Sequence, residues 1–219
     1  MGIDLSYFQG HHAVVYNATG QHLRLTLATL GIALLIAIPV GTLVARIPIL
    51  YTPVIGVLGI IYTIPSLALL AALITIIGIG TENALVALVA YAQFILVRNV
   101  VVGLRQVDPA VKDAARGMGM NSLQILFKIE YPLALPVIMG GLRIATVATI
   151  AIASIASQVD AGGLGTLLFD GLNLGNNSEI EVGAIAVSVL AIAADIILRL
   201  IDRVLPASRA RRLQQSAAG

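Results

Sequence analysis

Apolar runs of about 20 residues, parted by short stretches that hold most of the charge, recur along this 219-residue chain. Wound as a helix, a run of that length matches the hydrocarbon core of a bilayer. Five segments qualify: 25–45, 54–78, 83–103, 133–157 and 180–200. Each must satisfy its own backbone N–H and C=O groups, because lipid offers no partner. Closed β-barrels need strands that alternate apolar and polar residues, and runs such as Ile32-Ala33-Leu34-Leu35-Ile36-Ala37-Ile38 do not alternate. The fold class expected is therefore an all-α integral membrane protein of about five transmembrane helices. Composition closes the alternative. With 13 basic and 11 acidic side chains, 11% of the chain, there is too little charge to cover a soluble surface, where about a quarter of residues are charged. A soluble enzyme is excluded, and a disordered or fibrous chain with it.

Other absences narrow the chemistry. There is no cysteine, so disulfides, thiolate metal sites and cysteine nucleophiles are out. The two lysines, Lys112 and Lys128, lie outside any GxxxxGK[ST] context, so the chain has no P-loop of its own. The N-terminus carries Asp4 rather than a basic segment, and no signal-peptide cleavage is expected.

Orientation follows from the basic residues. If residues 104–132 are cytoplasmic, then Arg46, Arg98, Arg105, Lys112, Arg116, Lys128, Arg199, Arg203, Arg209, Arg211 and Arg212 lie on or near that side. Arg24 falls at the outer end of the first helix and Arg143 inside the fourth. The 158–179 loop holds Asp160, Asp170 and Glu179 without a lysine or arginine. The N-terminus is thus expected outside and the C-terminus inside. Residues 1–22 then form an external tail, 23–203 the membrane domain, and 204–219 a basic tail held at the anionic inner leaflet. Pro39 and Pro65 each remove a helix hydrogen bond and are expected to kink or break their spans. Such kinks are ordinary membrane-helix geometry, or they shape a pathway that opens alternately to each side.

The 104–132 segment is the most informative. Asp108-Pro109 starts a helix, aspartate capping free N–H groups and proline fitting the first position. Val111, Ala114, Ala115 and Met118 fall on one small apolar face, and Gly117 and Gly119 end it. Asn121 caps a second short helix, with Gln124 at the capping-box position, and Pro132 is expected to stop it. Such a helix can lie in a groove of a partner protein or rest on lipid headgroups. Spacing alone does not choose.

Asp113-Ala114-Ala115, then Gly119, Ile129 and Pro132, closely resemble the EAA loop of bacterial ABC-importer permeases: E-A-A, three residues, G, nine residues, I-x-L-P. Every spacing is kept, with aspartate for the first glutamate and Tyr131 for leucine. The segments Gln21-His22-Leu23, Tyr62-Thr63-Ile64-Pro65-Ser66-Leu67-Ala68, Val97-Arg98-Asn99, Ala114 to Met120, Ala161-Gly162-Gly163-Leu164-Gly165 and Gly183-Ala184-Ile185, with Asp195 beyond, resemble the glycine betaine, carnitine and choline permeases. The resemblance covers about residues 20–203. Methionine-importer permeases share the layout and are the nearest competitor.

That resemblance implies a type I importer fold and a bacterial cell-membrane location. It implies a coupling helix, 109–118, docked in a cleft of an ATPase subunit. Ala114 and Ala115 would allow close approach, Gly119 the turn, and Asp113 a pair with a basic partner group. The implied partners are two cytoplasmic ATP-binding subunits, a second permease copy or homologous permease, an external substrate-binding protein and membrane lipids, with no nucleic acid. ATP and magnesium would sit on the ATPase, and this chain would need no cofactor. The pathway or gate is expected around Tyr62, Pro65, Ser66, Gln93, Gly162, Gly163 and Gly165, the last three in a gate-like turn or a plain exposed loop.

Polar groups inside the spans are few. Asp195 can pair with Arg143 or with Arg199 one turn away, and a helix-locking pair is preferred to substrate contact. The aromatics Tyr62, Tyr91 and Phe94 look scattered in sequence, so no cage for a quaternary ammonium is visible. No metal site is expected, His11-His12 being a chance pair. A membrane-embedded enzyme would need a catalytic constellation in the spans, and none is present.

Overall fold

The computed structural model describes residues 6–204. Nine α-helices account for them: α1 Ser6–Arg46, α2 Tyr51–Thr63, α3 Ser66–Ile77, α4 Thr81–Arg105, α5 Pro109–Gly117, α6 Ser122–Ile125, α7 Tyr131–Ile155, α8 Gly165–Leu174 and α9 Asn177–Val204. Four stretches are long and apolar enough to cross a membrane, and a fifth if the bent α2–α3 pair counts as one span. The basic tail 205–219 lies outside the described residues.

The core forms where small residues let helices approach. Ala33, Ala37 and Gly41, four residues apart on one face of α1, are all buried, the spacing used for close helix contact in lipid. They pack on α4, whose Ala92, Leu96, Val97 and Val101 are buried in the same cluster with Ala145 of α7. α4 is thus the central strut, flanked by α1 and α7.

The first helix begins nearly twenty residues before the expected span at 25–45. It is bent at His11, whose backbone (φ −130°, ψ 27°) is not helical, and the 35 residues beyond that bend alone span about 50 Å, well over the hydrocarbon thickness. The expected external tail, 1–22, is therefore helical from Ser6 onward apart from the kink at His11. Hydropathy misses this part because it is polar overall. Its buried residues Val15, Ala18, His22 and Leu25 nevertheless recur at helical spacing, and Val15 and Ala18 pack on Leu164, Leu167 and Val182.

The two prolines behave differently. Pro39 sits inside α1 without ending it, held by the buried stripe on either side. Pro65 does break its span: α2 and α3 meet at 97°. Proline forces the preceding residue out of the α region, and Ile64 has ψ 130°. The Ile64 carbonyl, freed at the break, accepts a hydrogen bond from the Tyr91 hydroxyl at 2.6 Å. The expected span 54–78 is thus two helices, broken at Pro65 as its sequence predicts.

Pro132 does not stop a helix. Residues 126–130 form a π-helical turn that runs directly into α7, closed by Tyr131 N–H donating to the Leu126 carbonyl. Pro132 lacks the N–H that an α-turn would need and crowds the carbonyl before it. A wide turn removes both conflicts.

Candidate functional site

The segment from Asp108 to Pro132 is built by local signals. Asp108 Oδ1 accepts from Ala110 N–H at 2.8 Å, opening α5. At the other end, Gly119 N–H donates to the Arg116 carbonyl at 2.9 Å and Met120 N–H to the Ala115 carbonyl at 3.2 Å. These two bonds are those of a Schellman cap, and Gly119 supplies its left-handed residue with φ +82°. Asn121 and Gln124 form a reciprocal capping box, both bonds 2.9 Å.

The apolar face of α5 divides in two. Ala115 is buried, 1% exposed, and roots the helix, whereas Val111 and Met118 are exposed at 40% and 74%, and Ala114 is exposed with them. Asp113 pairs with Arg116 at 2.6 Å, both side chains more than half in solvent. Ile129 is half-buried and Pro132 exposed. Part of the face is therefore free to meet another molecule.

Sequence reasoning passed over Glu130, which is 3% exposed. It accepts from the Arg46 guanidinium at the end of α1, and Lys112 of α5 lies 3.9 Å from its other oxygen. One buried carboxylate thus ties α5 to α1 at the foot of α7. The usable signal was an acid between Ile129 and Tyr131 at the entry of a membrane helix, a position that demands a cationic partner. Beside it, Tyr131 OH and Thr42 Oγ1 share a 2.5 Å hydrogen bond.

At the opposite end of the bundle, the glycine segment is fastened to α1. Gly163 N–H donates to Gln21 Oε1 at 3.0 Å and Leu164 N–H to His22 Nδ1 at 3.3 Å. His22 Nε2 meets the Ile150 carbonyl at 3.0 Å. The amide can only donate and the carbonyl only accept, so the ring is neutral with its proton on Nε2. Leu164 is fully buried and α8 follows at once, so the plain exposed loop is not what forms here. At Gly165 a Cβ would overlap the Ser154 carbonyl oxygen, a backbone contact that cannot move aside. Gly165→Ala is expected to unseat α8 and leave little folded protein; a yield and thermal unfolding profile in detergent matching the unaltered chain would refute this packing.

The other expected pathway residues do not gather with these glycines. Tyr62 stacks on Phe94 with centroids 5.0 Å apart and meets Tyr91 edge-on at 6.1 Å, so the aromatics that look scattered in sequence cluster beside the Pro65–Ser66 break. Gln93 turns away toward α1, donating to the Ala33 carbonyl at 3.1 Å. Asp195 takes both partners considered for it: Arg143 of α7 at 2.9 Å and Arg199 of α9 at 2.7 Å.

A helix-and-turn motif of this form, rooted in a bundle of membrane-length helices, has counterparts. Residues 37–206 match the family described as binding-protein-dependent transport system inner membrane component. The chain belongs to that family. It is 40% identical over 196 residues to a carnitine transport permease protein, OpuCB, of Listeria monocytogenes, covering 89% of each chain. It is 35% identical over 211 residues to a choline transport system permease protein, OpuBB, of Bacillus subtilis, covering 96% of this chain and 97% of that one. Among solved structures, an inward-facing MetNI methionine ABC transporter chain aligns with a TM-score of 0.76 at 26% identity, over 87% of this chain and 97% of the other. An amino acid ABC transporter gives 0.75 at 17% identity, which speaks for the fold alone. The type I ABC importer fold and a multi-pass place in the inner membrane follow from this membership. Permeases of the family work with ATP-binding subunits and substrate-binding proteins.

Proposed function

We propose that this chain is the permease subunit of an ATP-driven importer for a quaternary-ammonium osmoprotectant such as glycine betaine, carnitine or choline. The observation that carries the reading is α5 itself, closed by the Gly119 cap and presenting Val111, Ala114 and Met118 to solvent. It stands in a chain 35–40% identical to carnitine and choline permeases over nearly its whole length. The side of the bundle holding 104–132 faces the cytoplasm, and the Gly162–Gly165 side faces outward, where a binding protein delivers solute.

In this reading α5 docks in a cleft of an ATP-binding subunit, and two such subunits act on two permeases, identical or homologous. ATP and magnesium reside on those partners, and this chain performs no hydrolysis. Their closure on ATP moves α5. Lys112 passes that displacement to Glu130, which is bound to the end of α1 and the start of α7. Asp113, Ala114, Ala115, Gly119, Ile129 and Pro132 form the coupling segment, and Tyr62, Pro65, Ser66, Gln93 and the glycines 162, 163 and 165 border the pathway or its gate. Arg143 and Asp195 hold α7 to α9. Methionine is the second reading, supported by the fold likeness to MetNI at 26% identity.

The test is uptake by the importer reconstituted with its ATPase and binding protein, offered glycine betaine, carnitine, choline and methionine. Uptake of one or more of the first three is expected. Uptake of methionine alone would overturn the substrate reading.

A further inference from the structure

On the Gly162 side of the bundle a cavity of about 490 Å³ opens between α1, the start of α4 and the turn after α7. That volume suits a small solute. Arg24 and Asp160 both line it, together with Gln21 and Thr81 over an apolar floor of Leu25 and Leu85. Both charged side chains are exposed, and among the described residues neither makes an ion pair within 4.0 Å, with the other or with anything else. Two opposite charges share one cavity and do not neutralise each other.

The backbone at Asp160 is unusual as well. It is the one non-glycine residue with positive φ, 61°, among those described. An L-residue is held in that region at a cost in free energy. The strain is maintained by its surroundings: Asp160 N–H donates to the Ser157 carbonyl, and Val159, one residue earlier, accepts from Gly80 N–H. A little further on, Gly163 and Leu164 are tied to Gln21 and His22. The backbone that carries the Asp160 carboxylate is therefore held from both sides. Arg24 is carried on α1, one turn along from Gln21.

We infer that Arg24 and Asp160 form an outer vestibule site for a zwitterion, the guanidinium taking its carboxylate and the carboxylate of Asp160 facing its ammonium. This rests on the osmolyte reading above and adds to it a ranking of substrates. Glycine betaine and carnitine carry both charges; choline carries only the cation, which Arg24 repels. Guanidinium also binds a carboxylate through paired N–H donors, which a quaternary ammonium cannot do in return. The anionic end of the solute is thus the end this site reads best.

The experiment is the maximal uptake rate of the complete importer at saturating, solute-loaded binding protein, for glycine betaine, carnitine and choline in parallel. With Arg24→Gln the rates for the two zwitterions should fall roughly ten- to a hundredfold relative to choline, the scale of one lost charge-assisted bond. With Asp160→Asn all three should fall, since all carry the ammonium. An Arg24→Gln variant that loses all three equally marks a contact with binding protein or lipid headgroup, and overturns the site. So does a variant that loses none. If the unaltered importer moves none of the three, the osmolyte reading fails first and the site fails with it.

Discussion

Gly119→Asp should abolish transport while the chain still inserts in the membrane and assembles. Gly119 has φ +82°, and a Cβ built on it meets no atom within 4 Å, so overpacking cannot be the cause of the loss. The left-handed backbone costs a non-glycine residue roughly 1–2 kcal/mol, and aspartate tolerates that region better than most. The Schellman cap would therefore loosen without destroying the bundle. What the variant adds is a charged side chain at the corner of the face that α5 offers to its partner. Gly119→Asn has similar size and the same tolerance without the charge, and should keep a substantial part of the activity. Uptake and ATP hydrolysis by the reconstituted importer, read beside the amount of permease in the membrane fraction, separate coupling from folding. Normal transport by the aspartate variant would defeat the assignment of this segment.

The second large effect concerns the carboxylate that sequence reasoning missed. Arg46→Met should destabilise the chain far more than Glu130→Gln. The Glu130 side chain is 4% exposed, whereas those of Arg46 and Lys112 are 42% and 22% exposed. Removing Arg46 leaves a buried charge with one remote cation at 3.9 Å. Breaking a buried pair from one side costs about 3–5 kcal/mol. Removing the negative charge instead leaves two cations that already reach water, and about 1–2 kcal/mol is lost with the hydrogen bonds. The double variant should then be more stable than Arg46→Met alone, because the stranded charge has gone. Thermal unfolding in detergent measures all three. If Glu130→Gln proved the more damaging, the ion pair would not be the source of stability at this junction.

The sequence disclosed those parts of the molecule governed by nearest neighbours and by hydropathy. Asp108, the Asn121–Gln124 box and the Gly119 turn all form as local rules require. The apolar runs are helical apart from the break at Pro65. What stayed hidden depends on partners distant in the chain. Glu130 meets Arg46 across 84 positions and Gly163 meets Gln21 across 142, and no periodicity announces either. The polar half of α1 was hidden for another reason: its buried face is narrow, and an average over all faces reads it as a tail. The aromatics Tyr62 of α2 and Tyr91 and Phe94 of α4 come together across about thirty positions, beside the 97° break between α2 and α3.

The π-turn at 126–130 also sets a phase. Each residue of an α-helix advances the chain by about 100° around its axis, and a π-turn takes up one residue more than an α-turn. The direction in which α6 leaves α7, and with it the side on which α5 is presented, depends on that extra residue. Shortening the segment by one while Pro132 keeps the wide turn would swing the docking face about a quarter of a revolution. The chain between Gly119 and Pro132 is thus constrained in length as a gear is constrained in tooth count.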